Sequence, residues 1–192
     1  MISAMATFQD SFDPRPKKFI VWLFVVTSTI MFGGFTSYYL VFAASKGKGH
    51  GLVLPDAFIY STMIIIASSI TLVFASKALK KLNFKLQRTL LWATAILAVV
   101  FGVMQFDAWG SMVRTGATLV GNNAAISFIY VVSGIHLLHI LAGVGLISNA
   151  LIGSYRKISL PKNTYRMEIA SIFWHFIDIL WIYLYVFLLL NR

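Results

Sequence analysis

Apolar side chains along the chain fall into five long runs, at about 19–44, 57–76, 90–106, 125–152 and 169–190, separated by short polar connections. Each run carries little or no charge. Crossing a hydrocarbon layer about 30 Å thick takes roughly 20 apolar residues in helical conformation. The pattern therefore predicts an all-α, polytopic membrane protein: a polar tail over 1–18, then one transmembrane domain over 19–192 built as a bundle of five helices. The third run, 90–106, is the shortest. The tail holds Asp10, Asp13, Pro14 and Pro16 and lacks the basic start and apolar core of a signal peptide. All four prolines, Pro14, Pro16, Pro55 and Pro161, lie outside the runs, where a missing N–H does a helix no harm. The longest connection, 107–123, has room for a turn or a surface helix but not for a domain.

Composition strengthens this reading. Of 192 residues, 59% are hydrophobic and 11% charged, against roughly 45–50% and about 25% in a soluble domain, and mean hydropathy is +0.82. The chain has no cysteine, which excludes disulfides, zinc fingers, iron–sulfur clusters, thiolate nucleophiles and thiolate-bridged copper. In a soluble protein the net charge of +10 would suggest nucleic acid as a partner. Here its distribution assigns it to topology. The tail, the second connection and the fourth hold twelve basic residues: Arg15, Lys17 and Lys18; Lys77, Lys80, Lys81, Lys85 and Arg88; Arg156, Lys157, Lys162 and Arg166. The opposite side holds four, Lys46, Lys48, Arg114 and Arg192. This bias predicts a cytoplasmic N-terminus and an outside C-terminus, with no nucleic-acid partner.

Lipid is as apolar as leucine, so helices join through small residues and buried hydrogen bonds. Thr29, Gly33 and Ser37 on the first span, and Ala67, Thr71 and Ala75 on the second, form stripes suited to close contact. The chemistry-bearing residues inside the spans are His136, His139, Glu168, His175 and Asp178. At 100° per residue His136 and His139 form one stripe, and Glu168, His175 and Asp178 another. The two are expected to face each other, as an interhelical polar network or a proton-linked one. A helix start near Arg166 suits an anionic Glu168, and a carboxyl at the membrane edge can equally be neutral. A shared metal is the sharper alternative, and depth opposes it. His175 lies about 14 Å along its helix from Arg166, His139 about 25 Å from Arg156, and metal ligands must meet within about 2 Å. No serine sits in a nucleophile motif.

On the fifth span Glu168 is followed by Trp174-His175-Phe176-Ile177-Asp178, then Trp181 and Tyr185. This resembles the last helix of subunit III of the haem–copper terminal oxidases, with its Glu, gap, Trp-His-Phe-Val-Asp and further Trp. Ser133-Gly134-Ile135-His136-Leu137-Leu138-His139 with Gly143 is similar to that family's Gly-x-His-x-x-His-x-x-x-Gly. Leu54-Pro55, Ser68-Ser69 with Thr71, and Gln105 with Trp109 fit as well, so the resemblance runs from Lys17 onward.

The resemblance implies a non-catalytic subunit of a proton-pumping oxygen reductase of the cytochrome c oxidase type, in a bacterial cytoplasmic membrane. It implies partners in catalytic subunit I and the other oxidase subunits. Haem and copper would lie in those partners and none in this chain, which would support stability and proton uptake and hold phospholipid. Arg156, Arg166 and Trp174 are the candidate headgroup contacts. A quinol oxidase subunit III is the alternative within the family. From another class, a small membrane metalloenzyme or proton-coupled transporter would use the same polar stripes, although no inverted repeat is visible.

Two departures qualify the resemblance. Many members have seven helices, of which the first two form a wall of the lipid cleft, whereas this chain resembles the last five. Where many members carry Ser-Glu this chain has Ser28-Thr29, and near Gln105 the usual Glu position is Ala108, with Asp107 adjacent.

Overall fold

A computed structural model describes residues 15–46, 57–119, 124–156 and 159–191, apart from the side chains of 42–46 and 124–125. Leu54-Pro55, residues 1–14 of the expected tail, and Lys48, Lys157 and Arg192 lie outside the described residues. Five helices are present among the described residues: α1 Arg15–Lys46, α2 Ala57–Lys80, α3 Phe84–Arg114, α4 Ala124–Tyr155 and α5 Leu160–Leu190. All five are long and apolar enough to cross a membrane.

The helices overrun the apolar runs. α1 starts at Arg15, α3 extends from Phe84 to Arg114, and α5 begins at Leu160, well before the run at 169. Hydropathy falls at the first charged group, but backbone hydrogen bonding continues to a residue that can cap it. Asn83 does this for α3, its side chain accepting from the Leu86 N–H at 3.1 Å. Pro16 and Pro161 lie within helices, each in the first turn, where a proline forfeits no intrahelical bond.

α2, α3, α4 and α5 each pack on the next, and α5 packs back on α2, so the four close a ring. Among the described residues α1 lies outside that ring and touches only α4 and α5. Buried positions on α2 run Phe58, Ser61, Ile65, Ser68, Leu72, Ala75 and Leu79; those on α3 run Gln87, Leu91, Thr94, Ala98, Phe101, Gln105, Ala108 and Met112. The steps alternate between three and four residues, the 3.5-residue period of a coiled-coil seam. α5 is the most deeply buried helix and α1 the least.

Helix ends show the up-and-down order. Lys18 at the start of α1 pairs with Glu168 near the start of α5, and Arg88 near the start of α3 donates from Nε to the Ser154 carbonyl near the end of α4, at 3.0 Å. At the other end Tyr39 reaches the Asn191 carbonyl at 3.2 Å and Tyr130 the Ala117 carbonyl at 2.8 Å. Every described residue of the twelve-residue basic set lies toward the first end.

The small-residue stripe on α1 does not serve as expected, and that on α2 serves in part. Thr29 and Ser37 are exposed, and a Cβ on Gly33 would meet nothing within 4 Å. The inward face of α1 is instead Ser28, Phe32, Thr36 and Tyr39, rotated by about one residue because its hydrogen-bonding partners lie there. On α2 Ala67 is exposed, Ala75 is buried, and Thr71 bonds Thr94 of α3.

The C-termini of α2 and α3 close with the same hydrogen-bonded turn. Asn83 N–H reaches the Ala78 carbonyl and Leu82 N–H the Leu79 carbonyl; Ala117 N–H reaches Met112 and Gly116 N–H reaches Val113. This pairing needs a left-handed residue after the helix. Gly116 supplies it at φ +82°, whereas Leu82 adopts φ +57° with a Cβ in the way. Leu82→Gly is therefore expected to be neutral or to stabilise by up to about 1 kcal/mol, and Gly116→Leu to destabilise by about 1 kcal/mol. Thermal unfolding of the detergent-solubilised chain, followed by circular dichroism, measures both.

Candidate functional site

The polar side chains of the spans lie at the seams between helices. One unit recurs three times at two seams, α2/α5 and α3/α4: an indole N–H donates to a hydroxyl and that hydroxyl donates onward to a carbonyl of its own helix. Trp174 Nε1 reaches Ser68 Oγ at 3.1 Å, and Ser68 bonds the Ile65 carbonyl at 2.7 Å. Trp181 Nε1 reaches Thr62 Oγ1 at 3.0 Å, and Thr62 bonds the Phe58 carbonyl at 2.7 Å. Trp109 Nε1 reaches Ser133 Oγ at 3.0 Å, and Ser133 bonds the Ile129 carbonyl at 2.6 Å. Each hydroxyl accepts once and donates once, so no polar atom of the unit is left facing hydrocarbon.

The histidines take three different environments. His139 faces α1: its Nδ1 lies 2.8 Å from the Ile135 carbonyl and its Nε2 3.1 Å from Ser28 Oγ. A carbonyl only accepts, so Nδ1 carries a proton, and Nε2 shares a hydrogen bond with the Ser28 hydroxyl. His175 faces α2, with Nδ1 2.7 Å from Ser69 Oγ. His136 is wholly buried in the ring of four helices, stacked on Trp181 with centroids 5.0 Å apart and edge-on to Phe101 at 6.0 Å. Neither of its nitrogens has a hydrogen-bond partner among the described residues.

The carboxylates also separate. Glu168 pairs with Lys18, and the Arg166 guanidinium turns instead to α4, reaching the Asn149 carbonyl at 3.4 Å. Asp178 is buried one turn beyond His175, whose Nδ1 is 3.9 Å from its Oδ2. Among the described residues no hydrogen bond joins the polar stripe of α4 to that of α5, although His136 of α4 stacks on Trp181 of α5. α5 presents Trp174, His175 and Trp181 to α2, and α4 presents His139 to α1. Sequence spacing gives the angle between residues on one helix but not the direction in which the helix is turned.

What joins α4 to α5 is close approach. A Cβ on Gly143 would stand 2.9 Å from both Trp174 Cε3 and Ile177 Cδ1. Trp174 was expected at lipid headgroups, but its indole is fully buried and committed to Ser68, which leaves it no lipid-facing surface. Arg156 is exposed and Arg166 partly so, at the basic end.

Sequence reasoning missed the partners: Ser28 for His139, Lys18 for Glu168, Thr62 for Trp181, and Thr36, which lies 2.6 Å from Tyr183 Oη. The available signal was Ser68 at a buried 3.5-residue position of α2, met by an indole on α5 running the other way. Among the described residues no group of three or more His, Asp or Glu side chains is placed to hold a metal.

These features define a polytopic helical membrane protein whose spans are joined by hydroxyl, indole and imidazole contacts. Over residues 16–191 the chain matches the sequence model for cytochrome c oxidase subunit III, and it belongs to that family. It is 30% identical over 174 residues to cytochrome c oxidase subunit 3 of Alkalihalophilus pseudofirmus, covering 88% of this chain and 84% of that one. It is 29% identical to cytochrome c oxidase subunit 3 of Thermostichus vulcanus, covering 86% and 83%. It is 25% identical to cytochrome bo(3) ubiquinol oxidase subunit 3 of Buchnera aphidicola, covering 100% and 94%. The chain is therefore a haem–copper oxidase subunit III, a multi-pass membrane protein that associates with other oxidase subunits and belongs to a family without catalytic cofactors of its own.

Gly143→Ala is expected to displace the buried Trp174 ring and cost about 1–3 kcal/mol, the range of an overpacked core. Gly33→Ala, in open space, should cost almost nothing. Tryptophan fluorescence during denaturant titration of the full chain distinguishes them.

Proposed function

We propose that the chain is the non-catalytic subunit III of a proton-pumping oxygen reductase in a bacterial cytoplasmic membrane, with its N-terminus and basic end on the cytoplasmic side. Its catalytic partner, subunit I, carries haem and copper, and this chain supports the partner's stability and proton uptake. The observation that carries the reading is the use made of the Trp-His-Phe-Ile-Asp segment. Trp174 and His175 both end on α2 hydroxyls, so the segment acts in assembly of the bundle rather than at a metal or substrate. Arg156 and Arg166, at the basic end, are suited to anionic lipid headgroups.

The electron donor is cytochrome c in the leading reading. A quinol is the second, favoured by the relative from Buchnera aphidicola, a ubiquinol oxidase subunit that matches over all of this chain.

A mild-detergent pull-down of the tagged chain, with haem spectra and oxygen consumption recorded on the eluate, tests the proposal. The expected result is a haem-bearing, oxygen-reducing complex from which the separated chain emerges colourless and metal-free. Oxygen uptake supported by reduced cytochrome c but not by a quinol assigns the donor. A lone chain carrying stoichiometric metal would overturn the proposal.

A further inference from the structure

Among the described residues Asp178 is the one buried acid, 4% exposed, and neither of its carboxyl oxygens has a hydrogen-bond partner of normal geometry. It lies twelve residues beyond Arg166, about 18 Å along α5 and so in the middle of the span. The indoles one turn to either side, Trp174 and Trp181, have already committed their N–H groups to Ser68 and Thr62. Two polar neighbours remain. His175 Nδ1 is 3.9 Å from Oδ2, and Ser69, which faces the carboxyl from α2, lies 2.7 Å from that same Nδ1.

Among the described residues no fixed cation reaches this depth. On α5 the basic residues, Lys162 and Arg166, stand near its start, and on α2 Lys77 and Lys80 stand in the last turn, two turns beyond Ser69. α1 is basic only at its two ends, and its Lys18 pairs with Glu168. α4 carries no Lys, Arg, Asp or Glu; its His139 is bonded to Ser28 and the Ile135 carbonyl, and its His136 is stacked on Trp181. An ionised Asp178 beside a neutral His175 would be an uncompensated anion in hydrocarbon, a state that membrane spans avoid. The counter-charge within reach is a proton.

We infer that Asp178, His175 and Ser69 form a proton-binding site inside the α2/α5 seam, holding one proton between the Asp178 carboxyl and the His175 ring. With the proton on Asp178 both groups are neutral, and Nδ1 accepts from the Ser69 hydroxyl. With the proton on the ring, Nδ1–H donates to Ser69 Oγ and the hydroxyl turns its own hydrogen to the carboxylate. Passing from the second arrangement to the first, the Nδ1–H bond breaks and leaves its electron pair on nitrogen, while Ser69 takes that proton and releases its own to Asp178. The site stays neutral overall in both. This goes beyond the subunit reading and does not rest on it.

Infrared spectroscopy of the purified full chain at neutral pH, with isotope-resolved NMR of the histidine rings, tests this. The chain has five aspartates and one glutamate, and Asp178 is the aspartate that falls within an apolar run, so labelled aspartate and labelled glutamate separate its carbonyl signal from that of Glu168. The expected result is one proton in the pair. It reads as a carboxylic-acid band that moves with labelled aspartate beside a neutral His175, as an imidazolium at His175 without that band, or as fractions of the two that sum to one. Asp178→Asn should abolish the band and leave His175 neutral. An ionised Asp178 beside a neutral ring would overturn the inference, as would a pair carrying two protons or an imidazolium that persists in Asp178→Asn. Labelling reads the unmutated chain, so the result does not hang on the folding of the variant. Because the chain is measured alone, neither result alters the subunit reading.

Discussion

Hydrogen bonding across helix seams is the constraint on which this bundle depends. Burying leucine between two helices gains little when the alternative is leucine against lipid, so each seam needs close packing or a polar bond. Nearly every seam has its own bond. α1 is held to α5 by Lys18 with Glu168 and by Thr36 with Tyr183, and to α4 by Ser28 with His139. α2 meets α3 through Thr71 and Thr94, and α3 meets α4 through Trp109 and Ser133. Where α4 meets α5, Arg166 reaches the Asn149 carbonyl at the basic end, and deeper in the bundle the join is steric, Gly143 letting the Trp174 and Ile177 side chains approach its backbone. These bonds have direction, so they fix rotation and register as well as contact.

The indole-to-hydroxyl unit explains why tryptophan recurs on α5. An indole fills a large volume and carries a single donor, so one bonded hydroxyl satisfies it completely. Trp174 and Trp181 are both buried to within 1% and occupy the middle of the four-helix ring, yet each delivers its N–H outward to α2. The partner hydroxyls stand at 62 and 68 as the indoles stand at 181 and 174, which sets the antiparallel register of the two helices without any backbone contact. His136 lies against Trp181 as a flat filler of the same layer, and there its shape serves packing.

The five helices were legible in the sequence because hydropathy depends only on which residues enter the hydrocarbon, and each run is long and nearly free of charge. Helix ends were less so: α3 continues to Arg114 because charge ends an apolar run without ending a helix. The azimuth of each helix was not legible at all. Thr29-Gly33-Ser37 and Ser28-Phe32-Thr36 are equally regular patterns on α1, and nothing within α1 states that Ser28 will find His139 more than a hundred residues away. The same ignorance of azimuth left the facing of the α4 and α5 stripes undetermined.

The two carboxylate positions at which the chain departs from the family pattern have a physical reading. Thr29, at the position where many members carry a carboxylate, points away from the bundle and bonds its own Val25 carbonyl, while the neighbouring Ser28 takes the inward contact with His139. Asp107 is exposed and 3.8 Å from Arg114, at the end opposite the basic face. Neither position places an acid inside the bundle. The span-embedded carboxylates among the described residues are then Glu168 and Asp178, both on α5, one paired with Lys18 at the basic face and one buried a turn past His175. Loss of the acidic position on α1 therefore concentrates the acidic chemistry of the described spans on one helix, along the side that also carries His175. On α5 a proton-linked role and a helix-joining role would fall to the same few side chains.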